Sequence, residues 1–493
     1  MTRPEEDALV ALYESRLAAT DVDGAMVRLA DAQQAKRHAQ QALDELRRTL
    51  RVARAPFSPL PGDLLNDIFV WGNKLDPSPR PAFALAGVSR LWRETALGCG
   101  VLWSNITLDL GKVTNINSYL RLLLARSGAS PLRVDLRRIP ATWNYKSPVI
   151  EEALLLGLLR RSRELTVSFI YPRTLDIDEN QTPFGDSLLP YLQTSMPLLE
   201  EFTCTESHLY LPDSGAAGAR IFTLAPKLRK VDLGYFSVDL IVPGALPHLA
   251  HFRSSHAHRA QGIQTVSKGW PKLESLSIIG VRSVAATQDI KFTHLQELNC
   301  GRRGIPEDAL SMLSPASEHT PNLRKLVVTE GSETELTRFL GSTSFASLHT
   351  LWIDAPKEFT HEFISVLAAL PNLTEWKISD INDACFIRIW EIWVGVPEMA
   401  RFASSLRTLI FAECDFSQKA AQLLVAWLQI RVDWARSEQD VGHITELQIV
   451  QTDKTITSVF PSWLKPRLEE LVETVVLDTD AVQFWPEEQE LSV

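Results

Sequence analysis

Three histidines crowd one short stretch, His251, His256 and His258 in HFRSSHAHR, and imidazole is a common ligand for transition metals. A metal site wants more than that, and no carboxylate or thiolate accompanies the three. The five cysteines, Cys99, Cys204, Cys300, Cys385 and Cys414, lie far apart and form no CxxC pair. Neither a thiolate zinc site nor a disulfide framework is suggested, and a reducing compartment suits them best. No Gly-rich phosphate loop, HExxH or GxSxG motif occurs, so neither nucleotide, zinc-hydrolase nor serine-hydrolase chemistry has a residue set behind it. The expectation is a chain with no catalytic residues, no metal and no cofactor. Arg137-Arg138, Arg160-Arg161 and Arg302-Arg303 supply positive charge, but in scattered pairs, and 60 acids against 50 bases leave a net charge of −10. Binding to a phosphate backbone wants a concentrated basic surface, so nucleic acid is not the expected partner.

What the residue types do support is recognition by side chains shown in rows. From residue 197 a unit Leu-x-x-Leu-x-Leu recurs, often after Pro-x, as in PLLEEFTC, PKLRKVDL, PKLESLSI, PNLRKLVV and PNLTEWKI. Its first apolar positions are Leu199, Leu228, Leu249, Leu273, Leu295, Leu323, Leu348, Leu373, Leu406, Ile444 and Val472. They are 21 to 38 residues apart, with a mean near 27. That is leucine-rich-repeat spacing. Each unit predicts a short strand whose Leu-type positions enter a shared core while the residues between them point outward. One unit cannot bury its own apolar side, so neighbours must stack into a solenoid. The outward positions that carry binding chemistry are Lys230, Asp232, His251, Arg253, Lys325, Trp352, Asp354, Glu375 and Lys377, the candidates for holding a target protein. Trp352 leads them, because aromatic anchors dominate protein interfaces and its neighbours Leu351 and Ile353 already form the core pair. A flanking loop over Trp352 is the alternative.

Upstream, Asn105–Leu110, Pro131–Leu136 and Glu164–Phe169 read as three further strands, with helices at Tyr119–Arg126 and Glu151–Arg161 between them. Late in the array, Ile381–Val396 and Gln418–Arg436 carry tryptophans at helical spacing, which predicts core packing rather than a ligand box. The end of the chain turns acidic and polar. No apolar run reaches membrane-spanning length, so no membrane partner is expected.

Residues 5–54 contain no proline, one glycine, and many Ala, Leu, Gln and Arg, which is helix composition. Counting back from Leu50 through Leu46, Leu43, Ala39, Lys36, Ala32, Leu29, Ala25, Val22 and Ala18 keeps a heptad rhythm. A coiled coil, with a homodimer through this helix, is one reading. A helix packed back on the body is the other.

Between helix and repeats lies LPGDLLNDIFVWGNKLDPSPRPAFALAGVSRLWRETALGCGVLWSNITL, residues 60–108. Pro61 suits the first turn of a helix, and Leu60, Leu64, Leu65, Ile68 and Phe69 fall at three- and four-residue steps. Three prolines at alternating positions from Pro77 break the chain. A second helical pattern then sets Leu85, Val88, Leu91, Trp92 and Ala96 on one face, and Leu102-Trp103 closes the unit with a bulky anchor.

This order of parts resembles the F-box, in the F-box-like form of large fungal families. The resemblance rests on Leu60-Pro61, Leu64-Leu65, Ile68-Phe69, Val88-x-Arg90-x-Trp92-Arg93, Ala96 and Leu102-Trp103, with Ser89 where many members carry cysteine. Together with the helix and repeats read above, it gives an α/β chain in five parts: a long helix at 1–54, with a coiled coil as one reading, a small helical F-box-like domain at 55–104, and early degenerate strand–helix repeats at 105–196. A leucine-rich-repeat horseshoe at 197–480 and an acidic tail at 481–493 complete it. It also implies the substrate receptor of a Skp–cullin–F-box ubiquitin ligase, cytoplasmic or nuclear. Leu60, Pro61, Leu64, Leu65, Ile68, Val88 and Trp92 would contact the Skp adaptor, and through it a cullin. The competing expectation is a non-ligase scaffold that dimerises through its N-terminal helix and displays the repeats as a platform.

Overall fold

The structure, a computed structural model of the 493-residue chain, describes residues 3–18, 22–52, 60–75, 80–140, 150–170, 190–205, 220–234, 240–242, 244–254, 258–259, 266, 268–279, 281–282, 292–301, 320–329, 333–341, 345–354, 356, 359–396, 404–437, 442–450, 459–461, 463–477 and 483–485. It divides into two compact units, Met1–Ile68 and Phe69–Val493.

The first unit holds α1 (Arg3–Ala18), α2 (Val22–Val52) and the start of α3 (Gly62–Leu75). α1 carries Glu5 and Glu6 in its first turn and Arg16 in its last, the charge order that the helix dipole favours. The sequence pattern predicts one helix across 5–54; the described residues form two, with 19–21 lying outside them.

In the second unit two short helices, α4 (Arg80–Val88) and α5 (Arg90–Gly98), replace the single helix that the apolar spacing suggests. The break is at Ser89, which is extended (φ −156°, ψ 173°) and whose hydroxyl accepts from the Trp92 amide. Serine is a preferred N-cap because its oxygen satisfies one of the orphan amides of the first turn. Trp103, in a 3-10 turn at Gly100–Trp103, is buried, and its indole N–H donates to the Ala96 carbonyl at 2.6 Å. Phe83 meets that ring edge-on at 5.2 Å, and the Arg126 guanidinium lies 4.3 Å from its centre. Asn73 joins the helices to the first strand: its amide donates to the Val101 carbonyl at 3.1 Å and accepts from the Asn105 amide at 2.8 Å.

From there the described residues of the unit form an open, wholly parallel sheet of fourteen strands taken in chain order, with two further two-stranded pairings outside it. The strands of the sheet are β1 (Asn105–Asp109), β2 (Leu132–Pro140), β3 (Ser162–Ile170), β4 (Glu201–Thr205), β5 (Lys230–Asp232), β6 (His251–Ser254) and β7 (Ser275–Ile279). The rest are β8 (Glu297–Gly301), β9 (Lys325–Thr329), β10 (Thr350–Asp354), β11 (Glu375–Ser379), β12 (Thr408–Ala412), β13 (Glu446–Val450) and β14 (Thr474–Leu477). Each strand pairs with the next, as an α/β solenoid-like fold requires when every connection returns to the same side. Helices in those returns are α6 (Ile116–Ser127), α7 (Glu152–Arg161), α8 (Glu333–Gly341), α9 (His361–Ala368), α10 (Asp383–Gly395), α11 (Gln418–Ser437) and α12 (Leu464–Glu469).

The Leu-type positions set the register. Phe202, Val231, Phe252, Leu276, Leu298, Leu326, Leu351, Trp376, Leu409 and Leu447 form one unbroken row of strand partners, all buried. The residue after each unit's first Leu builds a backbone ladder. Glu200, Arg229, Ala250, Glu274, Gln296, Arg324, His349, Thr374, Arg407 and Thr445 each donate their amide to the matching carbonyl one repeat earlier, at 2.7–2.8 Å. Ten main-chain rungs thus satisfy polar groups along the inside of the turn, which leaves the repeats free to vary their side chains there.

Of the tryptophans on the late helices, Trp390, Trp393 and Trp427 are core, as expected, and Trp434 is half-buried. Trp376, Trp390, Trp393 and Trp427 are buried, with ring centres 4.8–5.1 Å apart along the cluster. This cluster fills the space between β11 and the helix pair α10 and α11, and rings of this size each remove on the order of 200 Å² from water.

Candidate functional site

Parallel pairing turns the outward strand positions into straight rows. The register aligns Glu201, Lys230, His251, Ser275, Glu297, Lys325, Thr350 and Glu375 in one row. A second row runs Thr203, Asp232, Arg253, Ser277, Asn299, Val327, Trp352 and Lys377. Asp354 stands in a third, beside Ser379. All nine residues expected at a target-binding face therefore lie on one sheet face, with the strand residues between them buried. From Lys230 to Glu375 the face spans six strand spacings, roughly 29 Å at ~4.8 Å per strand.

A groove of about 490 Å³ lies over the middle of this face, floored by Asp232, Arg253, Asn299, Val327 and Trp352 and edged by Lys230, His251 and Lys325. Thr203, Ser277, Asn299 and Val327 line it too, although nothing in their side-chain type singles them out in the sequence. Their position does: each is the residue between the two Leu-type positions of its strand. The groove is electrostatically mixed. Arg253 reaches Asp232 at 3.8 Å and Lys230 reaches Glu201 at 3.5 Å. Burial pushes the Asp232 carboxyl above the ordinary carboxylate range, against the opposing pull of the Gly234 amide at 3.0 Å and of Arg253. At the far end Trp352 is half-buried; its indole N–H donates to the Ser379 hydroxyl at 2.8 Å, which in turn donates to Asp354 at 2.6 Å. The face is thus polar in its centre and aromatic at one end.

The residues expected at the adaptor face divide by burial. In the first unit Leu60, Pro61, Leu64 and Ile68 are exposed, Ile68 to 47%, whereas Leu65 is buried. In the second unit Val88 is 57% exposed. Trp92 is half-buried, its ring meeting Phe69 edge-on at 5.3 Å. Leu65 and Trp92 are therefore held inward, and Leu60, Pro61, Leu64, Ile68 and Val88 are the members that present surface. Trp71, which the spacing argument did not single out, is exposed on α3 with the Lys74 ammonium 4.7 Å from its ring centre.

Of the three histidines, His251 is on β6, His258 is in a two-residue strand paired with Val281–Arg282, and His256 lies outside the described residues, as do Arg302 and Arg303. Among the described residues no group of three His, Cys, Asp or Glu side chains is placed to hold a metal ion. None of the described helices is long and apolar enough to cross a membrane.

No family model matches this chain, and no curated protein matches it. Among solved structures it is similar to a protein of Bacteroides fragilis, at 12% identity over 68% of this chain and 70% of that one, with a TM-score of 0.27.

Proposed function

We propose that this chain is the substrate receptor of a Skp–cullin–F-box ubiquitin ligase. The observation that carries the reading is the solvent exposure of Leu60, Leu64, Ile68 and Val88, large apolar side chains at positions where the sequence resembles an F-box-like domain. Apolar side chains left in water on short helices are what a helical adaptor covers. Leu65 and Trp92 keep the helices in shape, while Leu60, Pro61, Leu64, Ile68 and Val88 meet the Skp adaptor, which brings the cullin. The outward rows of the sheet, with Trp352 at one end, hold a target protein. The chain performs no bond chemistry of its own; it raises the effective concentration of the target beside the ubiquitin-transferring enzyme. Such a complex works in the cytoplasm or nucleus.

Co-expression with the host's Skp adaptor tests this. The wild-type chain is expected to carry the adaptor through two columns, and Ile68→Asp and Val88→Asp, both at exposed sites, to lose it with unchanged circular dichroism. A wild-type chain that elutes free of adaptor removes the ligase reading.

A further inference from the structure

α2 is a 31-residue helix, about 46 Å long at 1.5 Å per residue. Along one stripe it shows Leu29, Ala32, Lys36, Ala39 and Leu43 at alternating three- and four-residue steps, all exposed, with Leu29 at 56% and Leu43 at 48%. A helix of this length that leaves its apolar stripe in water gains most of its stability only when another helix covers it. We infer that α2 pairs with α2 of a second copy of this chain, antiparallel, in a two-stranded coiled coil.

Charge and size both select that occupant and that direction. Between Leu29 and Leu43 the flanking residues Gln33, Ala35, Gln40 and Ala42 are uncharged, with Arg28 at the edge beside Leu29, so over that span no flanking charge repels a second copy or selects a partner of opposite charge, the usual task of flanking positions. A parallel pair sets Lys36 against Lys36 in the seam and Ala32 and Ala39 each against itself, leaving like charges opposed and two thin layers. Antiparallel pairing over the full helix sets Lys36 against Ala39 and Ala32 against Leu43 of the other copy. Each small residue then meets a long one, and the Lys36 stem can lie over the small Ala39 while its ammonium reaches water.

Sedimentation of the full-length protein at micromolar concentration is expected to give twice the 55.2 kDa of one chain, and Leu43→Asp to give one chain whose sheet still unfolds at the wild-type urea concentration. Direction is read by disulfide trapping in a Cys385→Ser background, since the other four thiols are buried. A mixture of Ala32→Cys and differently tagged Leu43→Cys protein is expected to form the mixed covalent dimer, while either variant alone forms little. A wild-type mass of one chain overturns the inference. So does covalent dimer from each variant alone, the mark of a parallel pair. Neither measurement involves the Skp adaptor, so the outcome is independent of the ligase reading.

Discussion

The Lys377 ammonium lies 3.7 Å from the centre of the Trp352 ring, and the two are register partners on neighbouring strands. With the indole N–H given to Ser379, the ring is held on one face and at its polar edge before any partner arrives. An aromatic side chain so fixed loses little freedom on binding, which is what makes a ring a good anchor. It also means that Lys377, read from sequence as an independent contact, acts partly by fixing its neighbour.

A double-mutant cycle on Trp352→Ala and Lys377→Ala, followed by urea unfolding, is expected to give a coupling energy of about 0.5–1 kcal/mol, the range for a partly exposed cation–π pair. Neither single variant should cost much more than about 1 kcal/mol, because both side chains stand on the outer face and leave the core rows intact. Additive single effects would show that the stacking contributes no stability.

Asp109 and Arg138 form a forked ion pair across β1 and β2, with Arg138 Nε donating to Asp109 Oδ1 at 2.5 Å. Arg138 sits at a register shift in β2 with a left-handed backbone, φ 54°. The Arg138 hydrogen bond holds the Asp109 carboxyl below its ordinary value, against the opposing effect of burial. A depressed carboxyl contributes stability above its unfolded value, near 3.9, and that contribution is lost as pH falls through the folded value. Asp109→Asn should therefore lower stability by about 1 kcal/mol at pH 7. The deficit should fade on acidification below pH 4; one that persists at pH 2 would assign the loss to packing instead. Arg138→Gly should be more stable than Arg138→Ala by about 1 kcal/mol, since both lose the pair but only glycine accepts the left-handed backbone freely.

Much of this was legible before any coordinates. The Leu-x-x-Leu-x-Leu spacing located the strands from β4 onward, because a buried period of two admits only one register. It also told outward residues from inward ones, so the nine target-face candidates came out on one face. The tryptophans at 390, 393 and 427 declared themselves by helical spacing. What was hidden is what depends on neighbours distant in sequence. Ser89 looked like a mid-helix residue because its capping role needs the turn of the chain before it. Leu65 and Leu64 are equally apolar, and only the helix's rotation decides which is buried. Trp352 and Lys377 are one strand apart in space and a whole repeat apart in the chain.

Arg431 is the residue whose role sequence least betrayed: a cation on α11 that is 1% exposed. Its Nε donates to the Gly442 carbonyl and its Nη2 to the Leu406 carbonyl, each at 3.0 Å. It thereby ties α11 to the turn before β12 and to the approach to β13. Burial lowers its pKa to about 10, with Arg407 adding repulsion, so it stays charged at neutral pH at a standing desolvation cost. Two forces compete in a substitution by methionine. The charge's burial penalty is removed, which can be neutral or stabilising when the replacement fills the same volume. Two buried carbonyls are left unsatisfied, at about 1–3 kcal/mol each. The second should win, and Arg431→Met should unfold at lower urea by about 1–3 kcal/mol at pH 7. A methionine variant as stable as the wild type would mean that water or backbone movement replaces the guanidinium, and that the two repeats are joined by packing alone.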